Sequence, residues 1–366
     1  MRDTCGDLPE AKRIVRCGRL PSGAGRPRVS KVDGRAYMSG LQTCGSVWSC
    51  PACYFKVRSK RATEISAVTA AHLAAGGGAL HVVVTMPHRA GEGLGELWSI
   101  LSDCWEHVTS GGSWKRLKAE HAIVGYVRAA EVTHSWAHGW HPHAHVLLFT
   151  DRPVSPLQNE EAFYALRKAI RNRWCKRMRD RHGRTVSEEF GIRVDPVKPD
   201  EADGSGSYLT KVGYELAMGD RKVGRGEGHR TPFAIAHDAA ETGNVADIDL
   251  FREWVVASHR KRSITWSHGL RERYGLGPER LDDDLAAEDA GGDTVAEIDH
   301  VLWRQIANRR DGRRAQFLAA FEANDGRNGI TAAVAFLTDL GLAVVVDETG
   351  PIPVIGLEPP NQPQQE

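Results

Sequence analysis

The pattern of apolar and polar positions along the chain predicts a mixed α+β protein. In some segments apolar residues recur every three or four positions, which is typical of helices. In others they run continuously or alternate with polar residues, which is typical of strands. The order of these segments favours an antiparallel sheet of the ferredoxin-like kind, flanked by helices. The predicted helices are 58–75, 96–108, 157–181, 206–218 and 251–262, and the predicted strands are 80–86, 126–133, 139–149, 192–197 and 264–267.

The C-terminal part of the chain has a pattern of its own. Helices are predicted at 294–309, 313–322 and 330–340, followed by a hairpin of 343–347 with 353–356. Helices followed by a hairpin fit a winged helix. They fit a small packing or dimerisation module at least as well.

Length and composition limit the class of protein. The chain has 366 residues, enough for two or three domains. We find no apolar run near the roughly 20 residues that span a bilayer, and residues 1–20 are too polar for a signal peptide. Seven cysteines, an odd number, fit a reducing cytoplasm better than a disulfide framework. These features predict a cytoplasmic protein without a membrane partner, and they leave the oligomeric state open.

The net charge of +1 hides an uneven distribution of charge. Residues 165–185 are rich in arginine and lysine, whereas residues 281–300 are acidic and contain neither. An arginine-rich helix is typical of phosphate contacts whose strength falls with salt. A solvated surface face explains the charge alone equally well. The candidate DNA contacts on this helix are Arg171, Arg173, Lys176, Arg177 and Arg179.

Three histidines alternate along one predicted strand. His141, His143 and His145 lie two residues apart, so their side chains point to one face. Residues 135–139 can close an antiparallel hairpin with the preceding strand, and Glu131 then lies opposite His143. Two imidazoles and a carboxylate that converge suit a divalent ion such as Mn²⁺, with Mg²⁺ or Zn²⁺ possible. The hairpin therefore predicts a metal site, provided that no bulge shifts the register.

A tyrosine and a lysine lie one turn apart on the predicted helix 206–218. On a helix Tyr208 and Lys211 share one stripe, and Tyr214 falls about 120° away from Tyr208. A neighbouring ammonium favours the phenolate form of tyrosine and can hold a phosphate oxygen, which suits a phosphoryl-transfer nucleophile. Taken alone, such a pair is more often packing plus a solvated charge.

The cysteines form a separate group. Cys44, Cys50 and Cys53 have the close Cys-Pro-x-Cys spacing of a structural zinc knuckle, and Cys17 begins a second Cys-Gly step. We predict Cys17 as the fourth ligand, with Cys5 as its competitor. Four thiolates would close the site to substrate and would stabilise a segment that has few apolar residues.

Together these segments resemble the HUH endonucleases, specifically plasmid rolling-circle replication initiators of the actinobacterial type. The likeness covers roughly residues 44–269. It rests on the cysteine run 44–53, the strand with Met-Pro-His at 82–88, the Glu-Val-Thr at 131–133, the His-Pro-His-Ala-His run, the Tyr-Leu-Thr-Lys at 208–211 and the Arg-Thr-Pro-Phe at 230–233. Any one of these segments could match by chance, but their order and spacing argue against a chance match.

The resemblance implies roles for individual residues. His143 and His145 are implied as the metal-binding pair and Glu131 as the third ligand, with His141 a further candidate. Tyr208 is the implied nucleophile and Lys211 its neighbour. The implied fold is an HUH nuclease core whose central antiparallel sheet is ferredoxin-like or RRM-like.

The activity implied is the initiation of plasmid replication. Such a protein is a metal-dependent, site-specific single-strand endonuclease and strand transferase that nicks origin DNA. The cut passes through a 5′-phosphotyrosine and leaves a 3′-hydroxyl that a host polymerase extends, with a host helicase as a further partner. Some initiators carry a glutamate one turn before the tyrosine to end replication by hydrolysis. Here that position is Gly204, and Asp203 precedes it, so the termination chemistry is in doubt.

The boundaries predicted for the chain follow from these assignments. They are a basic N-terminal segment with the zinc knuckle at 1–75, the nuclease core at 76–275, an acidic linker at 276–300, a small, mostly helical C-terminal domain at 301–358 and a disordered tail at 359–366.

Two other functions fit parts of the sequence. A rolling-circle transposase or relaxase would share the chemistry and would use Tyr214 as a second nucleophile. A non-catalytic, zinc-containing DNA-binding regulator would keep the histidines as structural residues and would form no covalent adduct with DNA.

Overall fold

The computed structural model describes residues 11–32, 34–157, 159–187, 191–197, 228–288, 291–308 and 313–359. The chain is mixed α+β, as predicted, and it divides into two compact units. The described residues of the first unit lie within 47–280, and those of the second lie within 9–46 and 281–366. The strands are β1 (Arg28–Val32), β2 (Arg35–Ser39), β3 (Gly78–Thr85), β4 (Ile123–Ser135), β5 (Gly139–Thr150), β6 (Ile192–Pro196), β7 (Ile264–Trp266), β8 (Asp293–Ile298), β9 (Val344–Asp347) and β10 (Val354–Leu357).

Helices join these strands in both units. The first unit contains helices Pro51–Ala74, Leu94–Val108, Gly111–Glu120, Glu160–His182, Pro232–Thr242, Val245–Ser258 and Leu270–Arg273. The second contains helices Ala11–Arg16, Asp282–Ala287, His300–Asn308, Arg313–Glu322 and Gly326–Asp339.

The sheet of the first unit is antiparallel throughout, in the order β6-β3-β5-β4-β7. Helix Leu94–Val108 lies between β3 and β4 in the chain, and helix Glu160–His182 lies between β5 and β6. A β-α-β-β-α-β succession with this strand order is the arrangement of the ferredoxin-like fold. It places β4 and β5, the two long strands of a hairpin, side by side in the sheet.

Each face of this sheet is covered by different helices, because side chains alternate along a strand. Val127 of β4 and Leu147 of β5 share a core with Ile65 of helix Pro51–Ala74. On the opposite face the ring of Tyr126 lies edge-on to Trp105, with the centroids 5.3 Å apart. Both faces of the strands near the predicted metal site are therefore packed.

Helix Glu160–His182 has a capped N-terminus, a glycine at its C-terminus and one buried apolar stripe. Its N-terminus is capped by the Asn159 side chain, which accepts a hydrogen bond of 3.0 Å from the backbone nitrogen of Ala162. It ends at Gly183, whose φ of 63° is the left-handed conformation that favours glycine. The stripe that it buries consists of Phe163, Leu166, Ile170, Trp174 and Met178.

The second unit has a five-stranded sheet that joins both ends of the chain. Its order is β2-β1-β8-β10-β9, and β8 and β10 form its parallel pair. Apolar residues from β1, β8 and β10 pack against the helices near the C-terminus, including Val29, Ala296, Trp303, Phe317 and Ile355. The predicted helices 313–322 and 330–340 and the C-terminal hairpin are present in this unit.

The predicted helix 294–309 is wrong in its first part. Residues Asp293–Ile298 form β8, and the helix is His300–Asn308. Ala296 and Ile298 are buried on one face of β8 while its other residues are more exposed, which is the alternation of a strand. The Asp299 side chain then accepts hydrogen bonds from the backbone nitrogens of Val301 and Leu302, so the helix begins after it.

The segment predicted as an acidic linker also contains regular structure. Besides β8 it includes helix Asp282–Ala287, whose first turn holds Asp282, Asp283 and Asp284. Carboxylates stabilise a helix N-terminus, where the backbone N–H groups are unpaired. The predicted domain boundaries as a set remain predictions.

Candidate metal and DNA-processing site

The β4–β5 hairpin has the register that the sequence predicts. Glu131 is paired with His143, and the ladder closes at Ser135 and Gly139. The register shift in this hairpin lies at the far end, between Ile123 and Gly125, so it does not disturb the histidines. Gly139 has a φ of 73°, and a Cβ there would lie 3.1 Å from the backbone of residues 89 and 90. A side chain at this turn would therefore strain the hairpin.

Glu131, His143 and His145 converge on one point. The Nε2 atom of His145 is 2.9 Å from Glu131 Oε2, and that of His143 is 3.3 Å from the same oxygen. One nitrogen or oxygen of each side chain lies within 4.8 Å of the others, so the three could hold one metal ion. Their side chains are only 11% to 18% exposed. Two imidazoles and a carboxylate in a sheltered position fit a borderline divalent cation.

Hydrogen bonds hold both imidazoles in this orientation. Nδ1 of His145 is 3.1 Å from Nε2 of His81, and the two rings are stacked. Nδ1 of His143 is 3.3 Å from the backbone oxygen of His141. With each Nδ1 engaged, each Nε2 is left to face Glu131. Such partners orient metal-binding histidines and select their tautomer.

His141 has a different environment from its two neighbours. Its Nδ1 is 2.6 Å from Nε2 of His88, and Nδ1 of His88 is in turn 3.0 Å from the backbone oxygen of His138. Burial, followed by the nearby His143, lowers the pKa of His141 to about 3. Burial likewise lowers the pKa of His88. His141 is therefore a neutral partner of His88 and lies outside the group formed by Glu131, His143 and His145.

The carboxyl of Glu131 is ionised in this environment. Burial alone would raise its pKa, but the hydrogen bonds from His143 and His145 outweigh burial and hold the pKa well below its usual range. An anionic carboxylate beside two imidazoles is the charge state that a cation needs.

His81 contributes to the site and was missed by the sequence analysis. It lies on β3, where the register places Val83 opposite His145 and His81 opposite Leu147. A single histidine in an apolar strand carries no functional pattern of its own. Only the strand pairing shows that it reaches His145.

The predicted nucleophile lies outside the described residues. This applies to Tyr208 and Lys211, and also to Gly204, Asp203 and Tyr214. Their roles remain predictions from the sequence.

The Arg-Thr-Pro-Phe segment is tied to the hairpin. Arg230 and His134 exchange backbone hydrogen bonds of 2.9 and 2.8 Å. The Arg230 guanidinium binds Asp238 at 2.9 Å and Asp247 at 2.7 Å. Thr231 caps helix Pro232–Thr242. Here the segment attaches two helices to β4 a few residues beyond Glu131, which is a structural role.

The five candidate DNA contacts on helix Glu160–His182 have unequal surroundings. Arg173 donates to the backbone oxygens of Val108 and Ser110, both at 2.9 Å, and Arg177 makes a bidentate ion pair with Asp103. Lys176 and Arg179 have exposed side chains that pair with Asp180, and Arg171 also has an interaction. The side chains of Arg173 and Arg177 are thus engaged within the protein.

The predicted zinc-binding cysteines are divided between the two units, with Cys50 and Cys53 in the first and Cys17 and Cys44 in the second. Cys50 precedes helix Pro51–Ala74 and Cys53 lies in its first turn, which creates the close knuckle. The competitor Cys5 lies outside the described residues.

None of the helices in the described ranges combines the length and the apolar character needed to cross a bilayer.

Comparison with known proteins agrees with the resemblance inferred from the motifs. Residues 37–164 match the family Rep_1, described as a replication protein. The chain is 27% identical over 361 residues to "Protein rep" of Streptomyces lividans, with 81% of this chain and 78% of that protein covered. It is 29% identical over 139 residues to a "Neomycin resistance protein" of Streptomyces cyanogenus, with 31% of this chain and 32% of that protein covered. No solved structure matches the chain significantly. The predicted resemblance to plasmid replication initiators of the Rep type is thereby confirmed.

Proposed function

We propose that this replication protein is an HUH-type endonuclease that nicks one DNA strand at a plasmid origin. The observation that carries the proposal is the convergence of Glu131, His143 and His145 on one point of the β4–β5 hairpin. The ferredoxin-like strand order of the first unit and the similarity to a Rep protein support it.

The residues present fit a divalent cation. Glu131 supplies an anionic oxygen, and His143 and His145 supply nitrogens whose rings are already oriented. Mn²⁺ suits such a mixed set best, and Mg²⁺ prefers an all-oxygen set. When bound, the cation would withdraw charge from a non-bridging oxygen of the scissile phosphate and so make the phosphorus more electrophilic.

The chain itself would supply the nucleophile. Tyr208 Oη would form a bond to the phosphorus while the bond from the phosphorus to the 3′-oxygen breaks, with Lys211 favouring the phenolate. The 5′-phosphate stays on the tyrosine, and the departing oxygen takes a proton to become a 3′-hydroxyl. That end would prime a host polymerase, and the covalent link keeps the energy needed to rejoin strands.

A nicking assay tests the proposal directly. Wild-type protein is incubated with labelled single strands of origin DNA and Mn²⁺, and a denaturing gel is examined for a protein-linked oligonucleotide. We expect Tyr208→Phe and His143→Ala to abolish the covalent band and Tyr214→Phe to retain it. His237→Ala is a matched control, because His237 is exposed on helix Pro232–Thr242.

The outcome separates the competing functions. Loss of the band in both tyrosine variants would favour a two-tyrosine transposase or relaxase. Absence of any metal-dependent band with the wild-type protein and its own origin would favour a non-catalytic DNA-binding regulator and refute the proposal.

DNA binding by the arginine-rich helix is part of the same proposal. Lys176 and Arg179 are its best candidates because their side chains are 65% and 66% exposed. Arg173 and Arg177 are engaged with the neighbouring helix and its end, so their loss would act mainly through stability.

A structural Zn²⁺ at Cys17, Cys44, Cys50 and Cys53 completes the proposal. Four thiolates, two of them in the close knuckle formed by Cys50 and Cys53 at the start of helix Pro51–Ala74, fit a closed, tetrahedral site. We expect the purified protein to contain one zinc per chain by elemental analysis and Cys53→Ser to lose it. Protein that is fully folded and free of zinc would contradict this assignment.

A further inference from the structure

A cationic cavity lies on the face of the first sheet opposite the metal-binding cluster. It has a volume of about 200 Å³. Two of its residues, Arg128 and Ala130, alternate with Glu131 along β4, so their side chains point away from the cluster. The lining residues are Trp48, Trp98, Leu101, Ser102, Arg128, Ala130, Lys261, Arg262 and Thr265.

All the charged residues that line this cavity are positive. Arg128, Lys261 and Arg262 line it, and none of its lining residues is acidic. Arg262 lies 3.9 Å from Glu279, which is a weak contact for an ion pair. Burial lowers the pKa of Arg128, and among the described residues no hydrogen bond or ion pair compensates its charge. A desolvated cation without a partner favours an anion from solution.

Two tryptophans, whose rings are tilted by 58° to each other, give the cavity apolar surface. Trp48 donates its indole N–H to the backbone oxygen of Lys261 at 2.7 Å, and Trp98 donates to Ser258 Oγ at 3.3 Å. Their polar atoms are thus engaged within the protein, and their carbon surfaces face the cavity. Trp254 lies edge-on to Trp48, with ring centroids 5.0 Å apart, and supports it. Nucleobases stack on aromatic surfaces of this kind whatever their sequence.

The volume of the cavity limits the size of its ligand. A water molecule occupies roughly 30 Å³ of liquid. Pockets for drug-sized molecules usually exceed about 300 Å³. A cavity of about 200 Å³ thus has room for about one nucleotide and not for an extended ligand. Apolar surface beside cations matches the two parts of a nucleotide.

We propose that this cavity binds one nucleotide of single-stranded DNA, with its phosphate held by Arg128 and Lys261 and its base against Trp48 and Trp98. The choice of DNA as ligand rests on the proposed function. Because the cavity and Glu131 lie on opposite faces of β4, the nucleotide bound here is not the one cleaved. The cavity would anchor the strand and contribute to affinity without taking part in the chemistry.

Binding of labelled single-stranded DNA without metal tests this assignment. Fluorescence anisotropy in EDTA is measured at several salt concentrations for the wild type, Arg128→Gln and Lys261→Gln. We expect each variant to bind at least roughly tenfold more weakly, since a charge-assisted hydrogen bond is lost. The slope of log affinity against log salt should fall by about 0.7 for the lost phosphate contact.

The controls separate a binding role from a folding role. Lys261 is exposed, so Lys261→Gln should keep the wild-type thermal transition even if Arg128→Gln does not. Arg116→Gln removes an exposed cation from helix Gly111–Glu120, outside the cavity, and should bind within about twofold of wild type.

Each result decides a different point. Folded Arg128→Gln and Lys261→Gln proteins with wild-type affinity and salt slope would overturn the cavity assignment, even if the wild type nicks DNA. Weakened binding by both variants would support it, even if no nicking occurs and the proposed function fails. A free deoxynucleoside monophosphate that binds as tightly as the oligonucleotide would make the cavity a small-molecule site and overturn the DNA assignment.

Discussion

Two arginines of helix Pro51–Ala74 are buried in opposite surroundings. Arg58 is only 1% exposed, and none of its three guanidinium nitrogens has a hydrogen-bond partner among the described residues. Its guanidinium lies over the ring of Tyr54, 5.4 Å from the centroid. Arg61 instead pairs with Glu279 at 2.9 Å and donates to the backbone oxygen of Arg280 at 2.9 Å. A buried charge without a partner is costly, whereas a paired one is costly to break.

Substitution of these two arginines should have opposite effects on stability. We expect Arg58→Met to raise the free energy of unfolding by about 1 kcal/mol, because it removes an unpaired buried charge. Arg61→Met should lower it by about 2 kcal/mol or more, because Glu279 loses its partner. Urea unfolding of both variants checks the signs. Strong destabilisation by Arg58→Met would show that its guanidinium has a favourable role.

His81 should control metal affinity without binding the metal. It holds Nδ1 of His145 at 3.1 Å. We expect His81→Leu to weaken Mn²⁺ binding by about 10- to 100-fold, as is usual when the partner of a metal-binding histidine is removed. Calorimetric titration with Mn²⁺ measures this, and His237→Leu is the exposed control. Unchanged affinity would mean that His145 is oriented without His81.

At the residue scale, the sequence predicts the three candidate metal ligands but does not reveal the residues that orient them. His143, His145 and Glu131 follow from alternation and the hairpin register, both of which are local properties. His81 and the role of His88 depend on which strand lies beside which, and that is decided by the whole sheet. The same limit applies to Arg173, whose carbonyl partners are distant in sequence.

Among the helices, Leu94–Val108 and Glu160–His182 are joined by a network around one carboxylate. Asp103 accepts a bidentate pair from Arg177, at 2.6 and 2.8 Å, and lies 2.7 Å from Nε2 of His182. The hydrogen bonds from Arg177, with a smaller contribution from His182, lower the pKa of Asp103 from 3.8 to about 2. The ionised carboxylate is therefore the form that joins the two helices.

The contribution of this network should depend on pH. Because the folded pKa of Asp103 lies below its ordinary value, the stabilisation is complete above about pH 3.8 and is lost as pH falls through about 2. We expect Asp103→Asn to lower the melting temperature at pH 7, and the difference from wild type to shrink below pH 4. Thermal unfolding from pH 7 to pH 2.5 measures it.

A matched variant shows whether the effect is specific. Asp180→Asn removes a carboxylate whose pairs with Lys176 and Arg179 are exposed, so it should change the melting temperature little. If the difference in melting temperature between Asp103→Asn and wild type did not change with pH, the effect would not come from the charge of the carboxylate.

At the element scale, the sequence predicts helices and strands with strong periodicity well, but it does not reveal short elements. The amphipathic helix Leu94–Val108 and the long strands β4 and β5 were predicted within a few residues. The strands β1 and β2 and helix Pro232–Thr242 were not. Five-residue strands carry too few alternations to be recognised, and the pairing of β1 with β8 is a long-range property.

For the whole molecule, the second sheet makes the C-terminal helices depend on the N-terminal strands. β1 pairs with β8, and Val29 of β1 lies in the same core as Trp303 and Phe317. Deletion of residues 1–46 would expose this core and leave β8 with an unpaired edge.

This deletion should loosen the C-terminal helices. We expect faster hydrogen exchange in helices His300–Asn308 and Arg313–Glu322 than in the full chain, with exchange in β4 and β5 changed much less. Replacement of Tyr37, a partly exposed residue of β2, by Thr is a mild control. Unchanged protection in both helices would show that the C-terminal segment folds without β1 and β2.

The division of the second unit between the two ends of the chain has a consequence for biosynthesis. The ribosome makes the paired strands β1 and β2 first, and it makes β8, the other partner of β1, only after residue 292. The described residues of the first unit all lie within 47–280 and contain their own core, so they can fold during translation. The early pair must wait with one edge of β1 open until synthesis is nearly complete, and a stalled or truncated product would carry this pair without β8.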